Sequence, residues 1–165
     1  MQMPDKYEEK SRLGFHYFPD TLHYGVQDAQ SWADGLMKLG ANWILLHAPQ
    51  ERAIPETFLT PLIEAGINPV LQFHLPAETM KSGDGFQVLF NHYARLGVKY
   101  VIFFDRPNLQ KYWPASIWAQ DDLVERFLDQ FLPLGELALY EGLKPVFPRL
   151  EPGGDYWDLA FLQAA

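Results

Sequence analysis

The 165 residues are enough for one domain with a sizeable core, and a composition of 48% apolar and 21% charged residues is that of a globular chain. The net charge of −8, with no basic cluster, argues against a nucleic-acid partner because a phosphate backbone would be repelled. The absence of cysteine excludes disulfides, thiolate catalysis and cysteine-ligated zinc.

The chain begins with a polar segment, so we divide it into an extension over residues 1–13 and a single domain over 14–165. The extension has no apolar core of the kind that a secretory signal peptide needs. No stretch approaches the roughly 20 apolar residues of a membrane-spanning helix. We therefore expect a soluble chain without a membrane partner, and the sequence leaves its cellular location open.

Four segments share one pattern, in which a glycine is followed by an apolar run, a polar residue and a closing proline. The glycine fits a left-handed residue that ends a helix, and the apolar run fits a strand buried on both faces of a parallel sheet. A fifth copy at Gly14 has no preceding helix and is predicted to be the first strand. The four segments are 39–49, 65–76, 96–107 and 141–152, with glycines Gly40, Gly66, Gly97 and Gly142.

Helical periodicity fills the intervals between these strands. Thr60 followed by Pro61 predicts a helix start, Asp84 a helix N-cap, and Pro133 a kink or division of a long helix. The predicted helices span 27–39, 60–65, 85–96 and 121–141, and residues 155–165 begin one more.

Alternating strands and helices predict an α/β fold with a parallel sheet in the order 1-2-3-4-5. Neither G-x-G-x-x-G nor a Walker sequence is present, so no nucleotide site and no cofactor are predicted. The pattern favours a parallel (β/α) repeat that forms a partial TIM (β/α)8 barrel ending after its fifth strand. Because a full barrel takes about 250 residues, we expect the chain to be truncated relative to its family.

A sheet that stops at the fifth strand cannot close, so its first and fifth strands should expose unpaired backbone groups. We expect an uncovered apolar inner face formed by Val101, Phe103 and Val146. Pro145 and Pro148 weaken further pairing at the fifth strand. The isolated chain is therefore predicted to self-associate through its open sheet edges or to aggregate.

Polar side chains follow all five predicted strands at their carboxyl ends, where function gathers in parallel α/β folds. Each residue alone could simply bond to loop backbone, but a ring supplied by five strands is a better indication of a site. We predict that these side chains converge on one cleft. The ring contains His16, Tyr17, His47, Gln50, Glu51, His74, Asp105, Arg106, Asn108, Arg149 and Glu151.

The three histidines His16, His47 and His74 also allow a metal site with Asp105 as a further ligand, since histidine is the commonest transition-metal ligand. Their spacing argues against it, because no second histidine lies close in sequence to any of the three. We predict no metal, and a metal-dependent hydrolase stays as an alternative.

Aromatic residues make up 15% of the chain and point to a saccharide ligand. The C–H face of a sugar ring stacks on an aromatic plane, while its hydroxyls bond to surrounding polar groups. Trp113, in the loop after the fourth strand, is the candidate platform, with loop packing as an equal alternative. Trp43, Trp118 and Trp157 are expected to pack against the rest of the protein.

The run YVIFFDRPNL at 100–109, followed by Tyr112 and Trp113, resembles the Asn-Glu-Pro strand end of the clan-A retaining glycoside hydrolases. Residues 143–165 resemble the segment around the fifth strand in bacterial proteins of this cellulase-like group, and the likeness extends over 14–165. In that family the asparagine holds the sugar 2-hydroxyl and the glutamate is the general acid/base. Here Asp105 and Arg106 stand at those positions, and an arginine cannot shuttle protons.

The resemblance implies a carbohydrate-active barrel in which the family nucleophile, at the end of the seventh strand, would lie beyond residue 165. Asp105 and Glu151 are the candidate catalytic carboxyls, because neighbouring strands lie about 4.8 Å apart and retaining hydrolysis needs carboxyls about 5–5.5 Å apart. An ion-pair network with Arg106 and Arg149 explains the same residues. Hydrolysis is thus not expected of this chain alone. The predicted saccharide-binding residues are His16, His47, His74, Arg106, Asn108 and Trp113.

A function of a different class is open beside the carbohydrate-active barrel and the metal-dependent hydrolase. The chain could be a non-catalytic binding or structural half-barrel that associates with a partner.

Overall fold

The computed structural model describes residues 12–75 and 84–165, so most of the predicted extension lies outside the described residues. Five strands form one sheet in the order β1-β2-β3-β4-β5, and every neighbouring pair is parallel. The predicted α/β fold with a parallel (β/α) repeat is confirmed. Within the described residues the sheet is open, with β1 and β5 at its edges. The strands are β1 (Gly14–His16), β2 (Trp43–His47), β3 (Asn68–Phe73), β4 (Tyr100–Phe103) and β5 (Lys144–Val146).

Helices connect the strands, and one more helix follows the last strand. In the described ranges, none of them combines the length and the apolar character needed to cross a membrane. A single 3-10 turn, Gln110–Tyr112, follows β4. The helices are α1 (Val26–Lys38), α2 (Glu56–Glu64), α3 (Asp84–Leu96), α4 (Ala115–Trp118), α5 (Leu123–Tyr140) and α6 (Asp158–Ala164).

Two helix predictions need correction. Helix α2 begins at Glu56 rather than at Thr60, with Pro55 before it and Pro61 inside it. Pro61 lacks the N–H that would bond within the helix, but the complete burial of neighbouring apolar side chains outweighs that loss. Helix α5 runs through Pro133, so a division there is wrong, while a kink stays a prediction.

The predicted glycines all precede strands and all adopt left-handed backbone. Gly40, Gly66, Gly97 and Gly142 have φ values of 68°, 78°, 96° and 91°. A side chain at such a φ is disfavoured, so glycine here ends a helix and redirects the chain into the sheet. This local rule is what made the strand starts predictable.

The two faces of the sheet differ in what covers them. On the outer face, the helices bury Val101 and Phe103 of β4 completely, and the Phe103 ring lies 5.6 Å from that of Phe90 in α3. On the inner face, Ile102 and Val146 line an open cavity. The prediction that Val101 and Phe103 face inward is therefore wrong. A continuous apolar run does not reveal which alternate residues face the helices, and a shift of one residue exchanges the faces.

Candidate functional site

The inner face of the sheet forms a cavity of about 560 Å³. It extends from the amino ends of the strands to their carboxyl ends, which we call the rim. Its amino end carries amides, aromatic rings and a lysine, its middle is apolar, and its rim end is polar. The lining residues are Asn42, Trp43, Asn68, Lys99 and Tyr100, then Leu45, Val70, Ile102 and Val146, then His16, Gln72 and Arg149.

The Trp43 ring lies against Gly14 of β1 and lines the cavity, contrary to the expectation that it is a core residue. A Cβ atom at Gly14 would come within 1.9 Å of the indole ring, so glycine at that position makes room for the ring. The indole Nε1 donates to the carbonyl of Arg12 at 3.2 Å. On β4, the ring of Tyr100 also lines the cavity, with the Lys144 Nζ 5.9 Å from its centroid. Trp43 and Tyr100 are the aromatic surfaces that a ligand in the cavity would meet.

The other tryptophans lie elsewhere. Trp113, the predicted platform, is buried in the hydrophobic core, and its Nε1 donates to the Pro107 carbonyl at 2.6 Å. Trp118 packs against the core as expected. Trp157 is 62% exposed, so the expectation that it packs was wrong. The structure therefore gives Trp113 a packing role rather than a stacking surface.

Asn108, another predicted ligand-binding residue, is fully buried between two loops. Its Nδ2 donates to the carbonyls of Glu151 at 2.8 Å and Tyr156 at 3.1 Å, and its Oδ1 accepts from the Glu151 N–H at 2.9 Å. A Cβ atom at Gly154 would lie 2.5 Å from the same Nδ2. The amide thus ties the loop after β4 to the loop after β5 and has both donors engaged.

Asp105 lies at the end of β4 between two residues with left-handed backbone. Phe104 has φ 68° and Arg106 has φ 44°, which is uncommon for residues other than glycine and is a form of strain that clusters at functional sites. The turn directs the Phe104 ring outward against Phe127, at 5.5 Å between centroids. Gln72 Nε2 donates to the Phe104 carbonyl at 3.2 Å and supports the turn.

An ion-pair network surrounds the Asp105 carboxylate, as the network alternative predicted. Its Oδ1 accepts from Arg149 Nε at 2.8 Å, and its Oδ2 accepts from Arg106 Nε at 3.2 Å and from the Tyr112 hydroxyl at 3.1 Å. Arg106 also donates through Nη1 to Glu151 at 3.1 Å and through Nη2 to Tyr112 at 2.9 Å. All three nitrogens of Arg106 are therefore engaged.

The network sets the charge states of its members. Burial alone would raise the pKa of Asp105, but the hydrogen bonds and charges of Arg149 and Arg106 outweigh it and lower this pKa to about 2. The hydrogen bond to Glu151, opposed by burial and reinforced by Asp105, raises the pKa of Arg106 above its usual value. Asp105 is thus a bound anion at neutral pH and no proton donor. The Arg106 guanidinium bridges the two predicted catalytic carboxyls.

His47 and His74 lie side by side at the rim, with ring centroids 4.3 Å apart. The Tyr24 hydroxyl donates to the His47 carbonyl, and Gln50 Nε2 donates to the His74 carbonyl at 3.0 Å. Burial lowers the pKa of both imidazoles, and the neighbouring His74 lowers that of His47 further. Both rings are therefore neutral at pH 7, when each has one donor and one acceptor nitrogen.

The predicted rim residues fall into connected groups. His16 and Arg149 line the main cavity, while His47 and His74 line an adjoining depression of about 370 Å³. Gln72 lines both. Asp105 joins the cavity through Arg149, and Glu151 joins Asp105 through Arg106.

The metal alternative finds no support in the parts of the chain that the structure describes. Across 12–75 and 84–165, no three His, Asp or Glu side chains are grouped so that they could hold a metal ion. Asp105, the proposed fourth ligand, has both carboxylate oxygens occupied by arginine.

Sequence reasoning missed the residues that give the cavity its character. Gln72, Asn68 and Tyr100 were not singled out, and Trp43 was assigned to the core. The signal was present in β3, where Asn68, Gln72 and the following His74 are polar at even-numbered positions. Period-two alternation of this kind marks one face of a strand as different from the other.

Comparisons with known proteins add no relative. No protein-family model matches this chain, and no curated protein matches it. The resemblance to clan-A glycoside hydrolases therefore stays a prediction.

Proposed function

We propose that this chain binds a saccharide in the inner-face cavity and does not hydrolyse it through Asp105 and Glu151. The observation that carries the proposal is the composition of the cavity, in which two aromatic rings, Trp43 and Tyr100, lie among three side-chain amides. An aromatic plane offers a surface to the C–H face of a sugar, and amides both donate to and accept from hydroxyls. The amides are those of Asn42, Asn68 and Gln72. Asn68 and Gln72 each use one N–H within the protein, on the carbonyls of Asn42 at 2.9 Å and Phe104 at 3.2 Å, which leaves the second N–H and the oxygen of each amide for a ligand.

The volume and the rim fit the same ligand class. A cavity of about 560 Å³ lies within the roughly 300–1,000 Å³ typical of small-molecule sites. The neutral imidazoles of His47 and His74 supply further donors and acceptors beside Gln72, where a hydroxyl-rich ligand would extend.

The proposal excludes hydrolysis by these two carboxyls for a physical reason. Glycoside hydrolysis needs a general acid whose pKa is raised, together with a second free carboxylate. The pKa of Asp105 is instead lowered to about 2, and Glu151 is paired with Arg106 at 3.1 Å. Asp105 is therefore unsuited to donate a proton at neutral pH, and Glu151 is held by Arg106 rather than free to act as the second carboxylate.

The test is calorimetric titration with β-1,4-linked tetrasaccharides of glucose, xylose, mannose and mannuronic acid. At least one should bind, and Trp43→Ala should weaken that binding by about tenfold or more while the fold is retained in circular dichroism. Trp157→Ala, which removes an exposed indole outside the cavity lining, is the matched control and should leave the affinity unchanged. A reducing-sugar assay should detect no cleavage.

Absence of binding by all four tetrasaccharides at millimolar concentration would refute the proposal. So would an equal loss of affinity in the two tryptophan variants.

A second candidate is a half-barrel scaffold that associates with another copy of itself. It is favoured by the open sheet edges at β1 and β5 within the described residues and by Val146, which is 37% exposed on the inner face. Analytical ultracentrifugation at micromolar concentration tests it. A dimer that Val146→Lys dissociates supports the scaffold, and a monomer at all concentrations contradicts it.

A further inference from the structure

The charge of the cavity is opposite in sign to that of the chain. The chain carries a net charge of −8, yet Lys99 and Arg149 line the cavity, and no Asp or Glu of the described residues does so. A third cation, Lys144, lies against the ring of Tyr100, with its Nζ 5.9 Å from the centroid. A concave surface of one sign concentrates ligands of the opposite sign.

Arg149 has hydrogen-bonding capacity to spare. Within the described residues only its Nε is used, in the 2.8 Å bond to Asp105, and its side chain is 54% exposed. No acceptor from the described part of the chain meets either of its Nη atoms, whereas all three nitrogens of Arg106 are engaged. Arg149 therefore has open guanidinium N–H groups and lines the cavity with Gln72 and His16.

The nearest carboxylates are already compensated. Asp105 shares its charge between Arg149 and Arg106, and Glu151 pairs with Arg106 at 3.1 Å. Asp20, which lines the adjoining depression, pairs with His23 at 2.9 Å. Each of these carboxylates thus has a cationic or imidazole partner. Their repulsion of an anion bound at the open N–H groups of Arg149 is therefore reduced.

We infer that the saccharide is acidic, and that Arg149 binds the carboxylate of a uronic acid unit while the sugar rings extend toward Trp43 and Tyr100. This inference rests on the proposed function and specifies its ligand class. A guanidinium can bind a carboxylate through two parallel hydrogen bonds, which gives both affinity and orientation. Lys99, at the far end of the same cavity, would meet the carboxylate of another unit.

The test compares two tetrasaccharides that differ only at C6, the β-1,4-linked tetramers of mannose and of mannuronic acid. Calorimetry should give at least about tenfold tighter binding of the mannuronate tetramer, and the preference should shrink as salt is added. Arg149→Gln should remove most of this preference, with Lys99 keeping the remainder, and Arg149→Lys should restore part of what is lost. Thermal melts would establish that both variants are folded.

Arg126→Gln is the matched control. Arg126 is an exposed arginine outside the cavity lining whose Nε bonds to Asp122 at 2.8 Å, the same distance as in the Arg149 pair. It should keep the wild-type preference. An equal loss of preference in Arg126→Gln would overturn the inference by showing a general charge effect.

The remaining outcomes separate this inference from the proposed function. Equal binding of the two tetramers by the wild type would overturn the acidic ligand and leave the saccharide site standing. No binding of either, with none of the other tetrasaccharides binding, would refute both. Acetate that displaces the mannuronate tetramer at equal carboxylate concentration would overturn the saccharide part, because the site would then recognise any carboxylate.

Discussion

The two faces of the sheet are built from alternate residues of the same strands, yet they differ in almost every physical property. Phe103 on the outer face is fully buried among rings from two helices, and its chain neighbour Ile102 lines an open cavity. The outer face is apolar and aromatic, whereas the inner face carries amides, cations and two half-buried aromatic rings. Stability therefore depends on one set of positions, and the ligand binding that we propose would depend on the set between them.

The largest expected effect tests this division at adjacent residues. Phe103→Ala should lower the free energy of unfolding by about 3–5 kcal/mol, because it leaves a cavity among fully buried rings. Ile102→Ala should cost about 1 kcal/mol or less, because that side chain already borders open space. Urea denaturation of the two variants measures the difference. Similar losses of unfolding free energy in the two variants would contradict the division into a packed outer face and an open inner face.

The second prediction concerns the Asp105 network at the rim. Since the pKa of Asp105 is about 2 in the fold and about 3.9 in an unfolded chain, its ion pairs contribute stability that is fully present above about pH 4. That stability, about 2 kcal/mol, should be lost as the pH falls from about 4 to 2. Asp105→Asn should be less stable at pH 7 and should lose this part of the pH dependence.

Asp122→Asn is the control for that measurement, because Asp122 pairs with Arg126 at 2.8 Å on an exposed helix surface. It should change the acid part of the stability curve much less. An equal change in both variants would indicate that the burial of the Asp105 network is unimportant.

The smallest expected effect is at the histidine pair. Burial lowers the pKa of His47, so an unfolded chain takes up a proton near pH 6.5 that the folded chain resists. Stability should therefore decrease as the pH falls below about 6.5, by less than the Asp105 effect. His47→Asn should flatten the curve in this range, while His92→Asn on α3 tests whether removing any histidine would do so. A curve that His47→Asn leaves unchanged would contradict the prediction.

The sequence predicted the elements better than the faces. Gly40, Gly66, Gly97 and Gly142 marked the strand starts because a left-handed turn after a helix is a local requirement. The orientation of Val101 and Phe103 was predicted wrongly because both neighbours in the run are apolar. Which face a strand presents to its helices is decided by tertiary packing.

The site was predicted at its rim and missed in its interior. Rim groups such as His16 and Asp105 follow from strand ends alone. The left-handed turn at Phe104 could not be predicted, because glycine is the residue that usually adopts this conformation. Here an aromatic residue adopts it, with φ 68°. The position of Trp43 depends on Gly14, whose missing side chain makes room for the Trp43 ring 29 positions away in sequence.

One measurement tests the central claim, that the inner face is the ligand-binding surface, most directly. The chain has five tryptophans, all within the described residues, and of these Trp43 alone lines the cavity. Titration of the 15N-labelled protein with the mannose and mannuronate tetramers, followed through the indole N–H signals, should shift the Trp43 signal. The signals of the other four, including the exposed Trp157, should stay in place. A saturable shift at Trp157 with the Trp43 signal unmoved would place the ligand outside the cavity and contradict the account.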